Sequence, residues 1–244
     1  MPDTGSHAGR SIAVVGVLGF VGLLTGLVVA TLAFELVVTM IPSLRDSLPA
    51  QNAILTVGQG VGIVAVVGFY LLTNELPWSY LRIDYPDWRD LVIAGITVVG
   101  LFALLAVTLE ILALFDVTTT EHGIADSARD NPRVLLPLIP LSVLVTGPAE
   151  ELLYRGVIQT RLTEAFDAVP AIFVASTIFA VVHVPAYMAG SGLGIELVGT
   201  IATLLLLGVV LGAAYEFTGN LAVPIVAHGL YNAVTYGSSY ISLV

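Results

Sequence analysis

The stretch VLLPLIPLSVLVTGPAEELLYRG, residues 134–156, decides the fold. Its first part is almost wholly apolar; then two adjacent carboxylates, Glu150 and Glu151, arrive with Arg155 close behind. A charge at mid-membrane costs roughly 2.5–3.5 kcal/mol on insertion scales. Charges at the end of such a run either mark a helix end in headgroup water or face a cavity and act there. On a helix, Glu151 and Arg155 are stacked neighbours able to form an ion pair. Glu150 lies about 100° around the helix from Glu151, so it need not share the arginine and is free for chemistry.

Outward from this stretch, the composition points to lipid. Of 244 residues, 57% are hydrophobic and only 11% charged, and the mean hydropathy is +0.98. Soluble domains hold about 25% charged residues. About 20 apolar residues span a bilayer as a helix, and hydrophobic segments lie near 12–41, 53–73, 91–115, 134–153, 168–189, 194–215 and 221–241. The expected fold is therefore all-α, a polytopic integral membrane bundle of about seven to eight transmembrane helices, multi-pass in the cell membrane. Residues 1–11 read as a polar tail, 12–133 as a set of N-terminal spans, and 134–244 as the membrane core that carries Glu150, Glu151 and Arg155. The run that opens at Ile12 is about twice as long as a signal-peptide core and reads as a permanent anchor.

Cysteine is absent, which excludes disulfides, thiolate metal sites and cysteine nucleophiles. The net charge is −10 and every basic residue is arginine. That balance offers no basic patch for nucleic acid, and acidic, lysine-free loops suit a cell with high internal salt. Trp78, Tyr80, Tyr85 and Trp88 fit an interfacial aromatic belt or ordinary loop packing. The pairs Gly22/Gly26 and Gly208/Gly212 have the spacing that lets helices approach closely. Arginine counts on the two sides nearly balance and leave the membrane orientation open.

Within the C-terminal spans the other ionisable residues are His183, in IFAVVHVPAY, and His228, in VPIVAHGLYNAV. Pro185 follows His183 and loosens or ends its helix. Asn232 follows His228 by four, on the same helical face. Three helices can thus bring Glu150, His183, His228 and Asn232 to one polar pocket, the set that water activation requires. Two mechanisms fit. In one, Glu150 is the general base on a water held by His183, while His228 and Asn232 donate to the developing oxyanion. In the other, Glu150, His183 and His228 hold Zn²⁺ with water in the open fourth position. No HExxH stands in the sequence, and Asn suits an oxyanion donor better than a zinc ligand. Ser176 and Ser191 lack the setting of a nucleophile, and no span holds an aspartate pair. Glu35, Glu110, Glu196 and Glu216 read as interfacial or solvated, and His7 and His122 as bystanders in the tail and an acidic loop.

Three of these segments form a recognisable set. EELLYR (150–155), FAVVH (179–183) and HGLYN (228–232) resemble the EExxxR, FxxxH and HxxxN motifs of the CAAX-protease and bacteriocin-processing (CPBP, or Abi) membrane proteins, which include the type II prenyl endopeptidases. The surrounding text, YRGVI and TGNLAVPIVAH, resembles them too, over about residues 134–241. The resemblance implies an all-helical intramembrane endopeptidase in which Glu150, His183, His228 and Asn232 are catalytic. Glu151 and Arg155 would orient the site, with Phe179 supporting it. It leaves open zinc or no metal at all, and it implies a membrane-associated protein or peptide substrate, lipidated or not. The competing expectations are a non-catalytic immunity or peptide-binding scaffold and a proton-coupled transporter.

Overall fold

A computed structural model describes residues 4–120, 122–191 and 193–244. Ser191 lies among its described residues by backbone only, and the side chain of His7 lies outside the description. No strand occurs among the described residues. The helices are α1 (Thr4–Met40), α2 (Leu48–Thr73), α3 (Trp88–Ala113), α4 (Ile124–Asp130), α5 (Pro132–Thr163), α6 (Ala168–Val182), α7 (Val184–Ser191), α8 (Ile195–Thr218) and α9 (Ala222–Leu243). Five of them, α1, α2, α3, α5 and α8, are long and apolar enough to cross a membrane. The chain is a polytopic membrane bundle of α-helices. The shorter α6 and the more polar α9 complete it, and both carry site residues.

Helix ends follow local chemistry. The Ser47 hydroxyl accepts from Ala50 N at the start of α2, and an Asp87/Asp90 capping box starts α3. Gly219, at φ +65°, closes α8 in the left-handed region that favours glycine. Asn220 then ties this turn to the α2–α3 connector. Its Nδ2 donates to Asp90 (2.9 Å), and its Oδ1 accepts from Asp84 N and Ala222 N.

Two expectations need correction. The stretch expected as a polar tail is helical from Thr4 onward, because α1 continues without a break into the apolar run. The span expected to end at residue 153 runs on to Thr163. Arg155 and Gln159 look like the end of a membrane segment in sequence, yet both are buried and bonded to carbonyls of α8. The glutamates therefore sit inside a long helix, not at its end.

Glycines set the closest helix approaches. A Cβ on Gly62 of α2 would stand 2.7 Å from the Thr25 carbonyl and 2.8 Å from Gly26 Cα, and one on Gly58 would stand 2.6 Å from Ala30 Cα. Gly26 thus meets α2, whereas Gly22 makes room for Leu153 of α5. The second pair, Gly208 and Gly212, turns its carbonyls to Arg155 Nη2 (2.9 Å) and Gln159 Nε2 (3.0 Å). We expect Gly62→Ala to cost about 1–3 kcal/mol by overpacking against backbone. Gly95→Ala on α3, where a Cβ meets nothing within 4 Å, should be neutral or stabilising, since alanine is the better helix former. Thermal unfolding in detergent checks both.

Candidate active site

The site is assembled where α5, α6 and α9 meet. Wide π-type turns over Ser142–Thr146 and Leu152–Gln159 flank the segment Gly147–Glu151. Such turns are frequent at functional sites because they re-aim side chains within a helix. Beside them α5 and α9 touch backbone to backbone. A Cβ on Gly229 would lie 2.8 Å from Val143 Cα, and one on Gly147 would lie 3.0 Å from Gly229 N. This approach carries the adjacent His228 to the glutamates.

Glu151 and Arg155 are fully enclosed, at 0% and 1% exposure, which rules out a helix end in headgroup water. Arg155 Nη1 donates to Glu151 Oε1 (2.7 Å), its Nη2 donates to the Gly208 carbonyl (2.9 Å), and its guanidinium lies over the Phe179 ring (4.8 Å). The same Glu151 oxygen faces His228 Nδ1 at 2.7 Å. A carboxylate accepts, so His228 carries its proton on Nδ1. His183 caps α6, and its Nδ1 stands 2.7 Å from the Phe179 carbonyl. A carbonyl also only accepts, so this histidine too is protonated on Nδ1.

Both Nε2 atoms are therefore lone-pair acceptors in the neutral rings. Each lies 3.9 Å from Glu150 Oε2. Three acceptors facing one another at that distance make no direct hydrogen bond. Whatever sits among them must bring protons or positive charge.

Glu150, His183, His228 and Asn232 all line one cavity of about 530 Å³, as does Phe179, whose ring packs against His183 (4.5 Å) and Tyr154 (5.1 Å). Glu151 and Arg155 do not line it. The fold thus separates a buried bracing pair from a carboxylate open to the cavity. Leucines of α1, α2 and α8, among them Leu23, Leu55, Leu204 and Leu207, line it as well, interspersed with Asn52 and Gln59 of α2.

The comparisons with known proteins bear on this region. Residues 132–234 match the model of the Rce1-like family, the type II CAAX prenyl endopeptidases. This segment is similar to the CAAX proteases. The matched part takes in all three motifs, so the convergent residues all lie within it. A stretch of 99 residues is 35% identical to "Uncharacterized protein YpbD" of Bacillus subtilis (strain 168), covering 41% of this chain and 44% of that protein. The chain therefore spans less than half the length of that relative. No solved structure matches it.

The convergent residues can be tested as a zinc site. Tetrahedral Zn²⁺ with bonds of about 2.0–2.1 Å sets its ligand atoms about 3.3 Å apart. The two Oε2–Nε2 separations of 3.9 Å are wider, and no compact metal-holding group of His, Cys, Asp and Glu occurs among the described residues. As placed, the donor set is more open than a bound tetrahedral ion would hold it.

Several cavity residues escaped the sequence reading. Tyr154 follows Glu150 by four and Tyr231 follows His228 by three, so helical spacing from the motifs could have found both. Tyr187 and Tyr236 also line the cavity. His122, taken as a loop bystander, lines it as well; no periodic signal in the loop marks it. Glu216, expected to be solvated, instead faces Arg82 at 3.6 Å, whereas Glu35 does sit exposed, paired with Arg45.

Proposed function

We propose that this protein is an intramembrane endopeptidase in which Glu150 activates water to hydrolyse a peptide bond of a membrane-associated protein or peptide. The observation that carries the reading is the ring of three acceptors. Water is the small neutral species that suits it, since it donates two hydrogens there and keeps an oxygen lone pair for attack.

Glu150 takes a proton from this water while His183, locked by the Phe179 carbonyl, holds the oxygen in place. Attack on the scissile carbonyl places negative charge on its oxygen. His228 faces that charge from Nε2 after taking a second proton from solvent water that enters the cavity, a proton it returns to solvent on product release. Glu151 is set behind its Nδ1 to hold the imidazolium. Asn232 offers a second, uncharged donor on the same helical face. Collapse of the tetrahedral species needs a proton on the leaving amine, and the proton held by Glu150 supplies it. No step needs a metal.

The leucines that line the cavity suit the hydrophobic side chains or lipid group of a substrate held at the membrane. CAAX-type processing of a C-terminal tail is the finer form of this reading, and the Rce1-like family match supports it. We expect purified protein in liposomes to hold well under one equivalent of metal and to keep its cleavage activity after exhaustive chelation. One equivalent of zinc, with activity lost on chelation and restored on its return, would replace the metal-free mechanism with the zinc one.

A further inference from the structure

We propose that His122 positions the substrate by donating a hydrogen bond from Nε2 to a peptide carbonyl. This inference rests on the protease reading and extends it to a residue outside the three motifs and outside the matched segment.

The argument begins with the proton. His122 Nδ1 accepts from the backbone N–H of Ile124 at 3.2 Å. A nitrogen that accepts carries no proton, so in the neutral ring the proton sits on Nε2. His122 is thus the reverse tautomer of His183 and His228, whose Nε2 atoms accept. Its Nε2–H has no protein partner among the described residues, and the residue lines the same cavity. The ring remains accessible, yet the surrounding protein, and then nearby His183, hold its pKa below the ordinary imidazole value. A neutral donor is what remains.

The loop holds this donor in place. Thr120 N donates to Thr200 Oγ1 (2.8 Å) and Gly123 N to the Ala186 carbonyl (3.1 Å), which pins the chain on both sides of His122. Tyr187 meets the imidazole edge to face, with centroids 5.2 Å apart. Preorganisation of this kind lowers the cost of ordering on binding.

The choice of a carbonyl follows from the neighbours. The hydroxyls of Tyr187, Tyr231 and Tyr236 share the cavity, and none has a protein partner among the described residues. No arginine among the described residues lines it, and Glu150 contributes negative charge. A donor-rich wall without a cation suits the backbone of a peptide running through the cavity, rather than a free carboxylate.

The experiment uses the full chain in nanodiscs with an internally quenched apolar decapeptide. His122→Phe keeps the ring against Tyr187 and removes the donor; His122→Gln keeps an N–H donor. Losing one neutral hydrogen bond predicts a KM raised about tenfold in His122→Phe, with kcat within about twofold and KM in His122→Gln within about threefold of wild type. An unchanged KM in His122→Phe, a loss in kcat alone, or a Gln variant no better than Phe would overturn the inference. An inactive wild type, or full activity in Glu150→Gln, counts instead against the protease reading. A second readout does not depend on cleavage. Long-range ¹H–¹⁵N spectra of histidine-labelled Glu150→Gln, with His122→Phe for assignment, should show His122 protonated at Nε2 and its signal moving when the decapeptide is added. An Nδ1–H tautomer, or a signal the peptide leaves unmoved, overturns the inference whatever the activity.

Discussion

Arg155→Met should be the most destabilising single change in the half of the bundle that holds the candidate site, costing about 3–5 kcal/mol in unfolding experiments in detergent. The arginine ties together groups that have no access to water. Glu151, wholly enclosed, loses its cation, and its Oε2 already has no hydrogen-bond partner. The Gly208 carbonyl loses its donor, and Phe179 loses the guanidinium over its ring. A buried carboxylate stripped of its partner is worse than an apolar pair of similar size. The double variant Glu151→Leu, Arg155→Met should therefore recover much of the stability. It should not recover activity, because His228 no longer has a carboxylate behind Nδ1. A single Arg155→Met variant as stable as wild type would remove the bracing role.

The largest effect on rate is expected at Glu150. Glu150→Gln keeps the shape of the side chain and its place in the cavity but cannot take a proton from water. General-base assistance contributes about 10²–10⁴-fold, so kcat should fall by about 10³ with KM for the decapeptide little changed. The fold should be preserved, since Glu150 lines the cavity and makes no hydrogen bond to protein among the described residues. Rate measured with enzyme in excess over peptide isolates the chemical step. This pattern differs from that of His122→Phe, which changes binding and spares the step.

The membrane fold was legible because lipid imposes one rule that sequence obeys openly: long apolar runs between polar connectors. The runs ending at Met40, Thr73 and Ala113 needed no tertiary knowledge. The rule failed at α5, where Arg155, Gln159 and Thr160 resemble the polar end of a span. Their bonds to Gly208, Gly212 and Tyr215 supply inside the bundle what headgroup water would supply outside, and that depends on which helix lies opposite. The same holds for the glycines. Gly22/Gly26 stood out by spacing, but that Gly26 faces Gly62 while Gly22 faces Leu153 follows from packing alone.

In the candidate site, helical spacing gave the Glu151–Arg155 pair and the common face of His228 and Asn232. Convergence of three helices on one cavity was inferred from the cost of burying polar groups. Two things lay beyond that inference. The bond from Glu151 to His228 joins residues 77 apart, and no local pattern encodes it. His122 sits in a polar loop where a histidine is unremarkable, and only the folding of that loop against α7 and α8 brings it to the cavity.

The central claim is that this cavity hydrolyses peptide bonds through Glu150. Its most direct test compares protein termini in native membranes that hold equal amounts of folded wild-type or Glu150→Gln protein. New termini confined to the wild-type membranes are the predicted result, and they would identify the substrate and its cut site together. Identical termini in the two membranes would contradict the claim and leave the cavity as a peptide-binding site without hydrolysis.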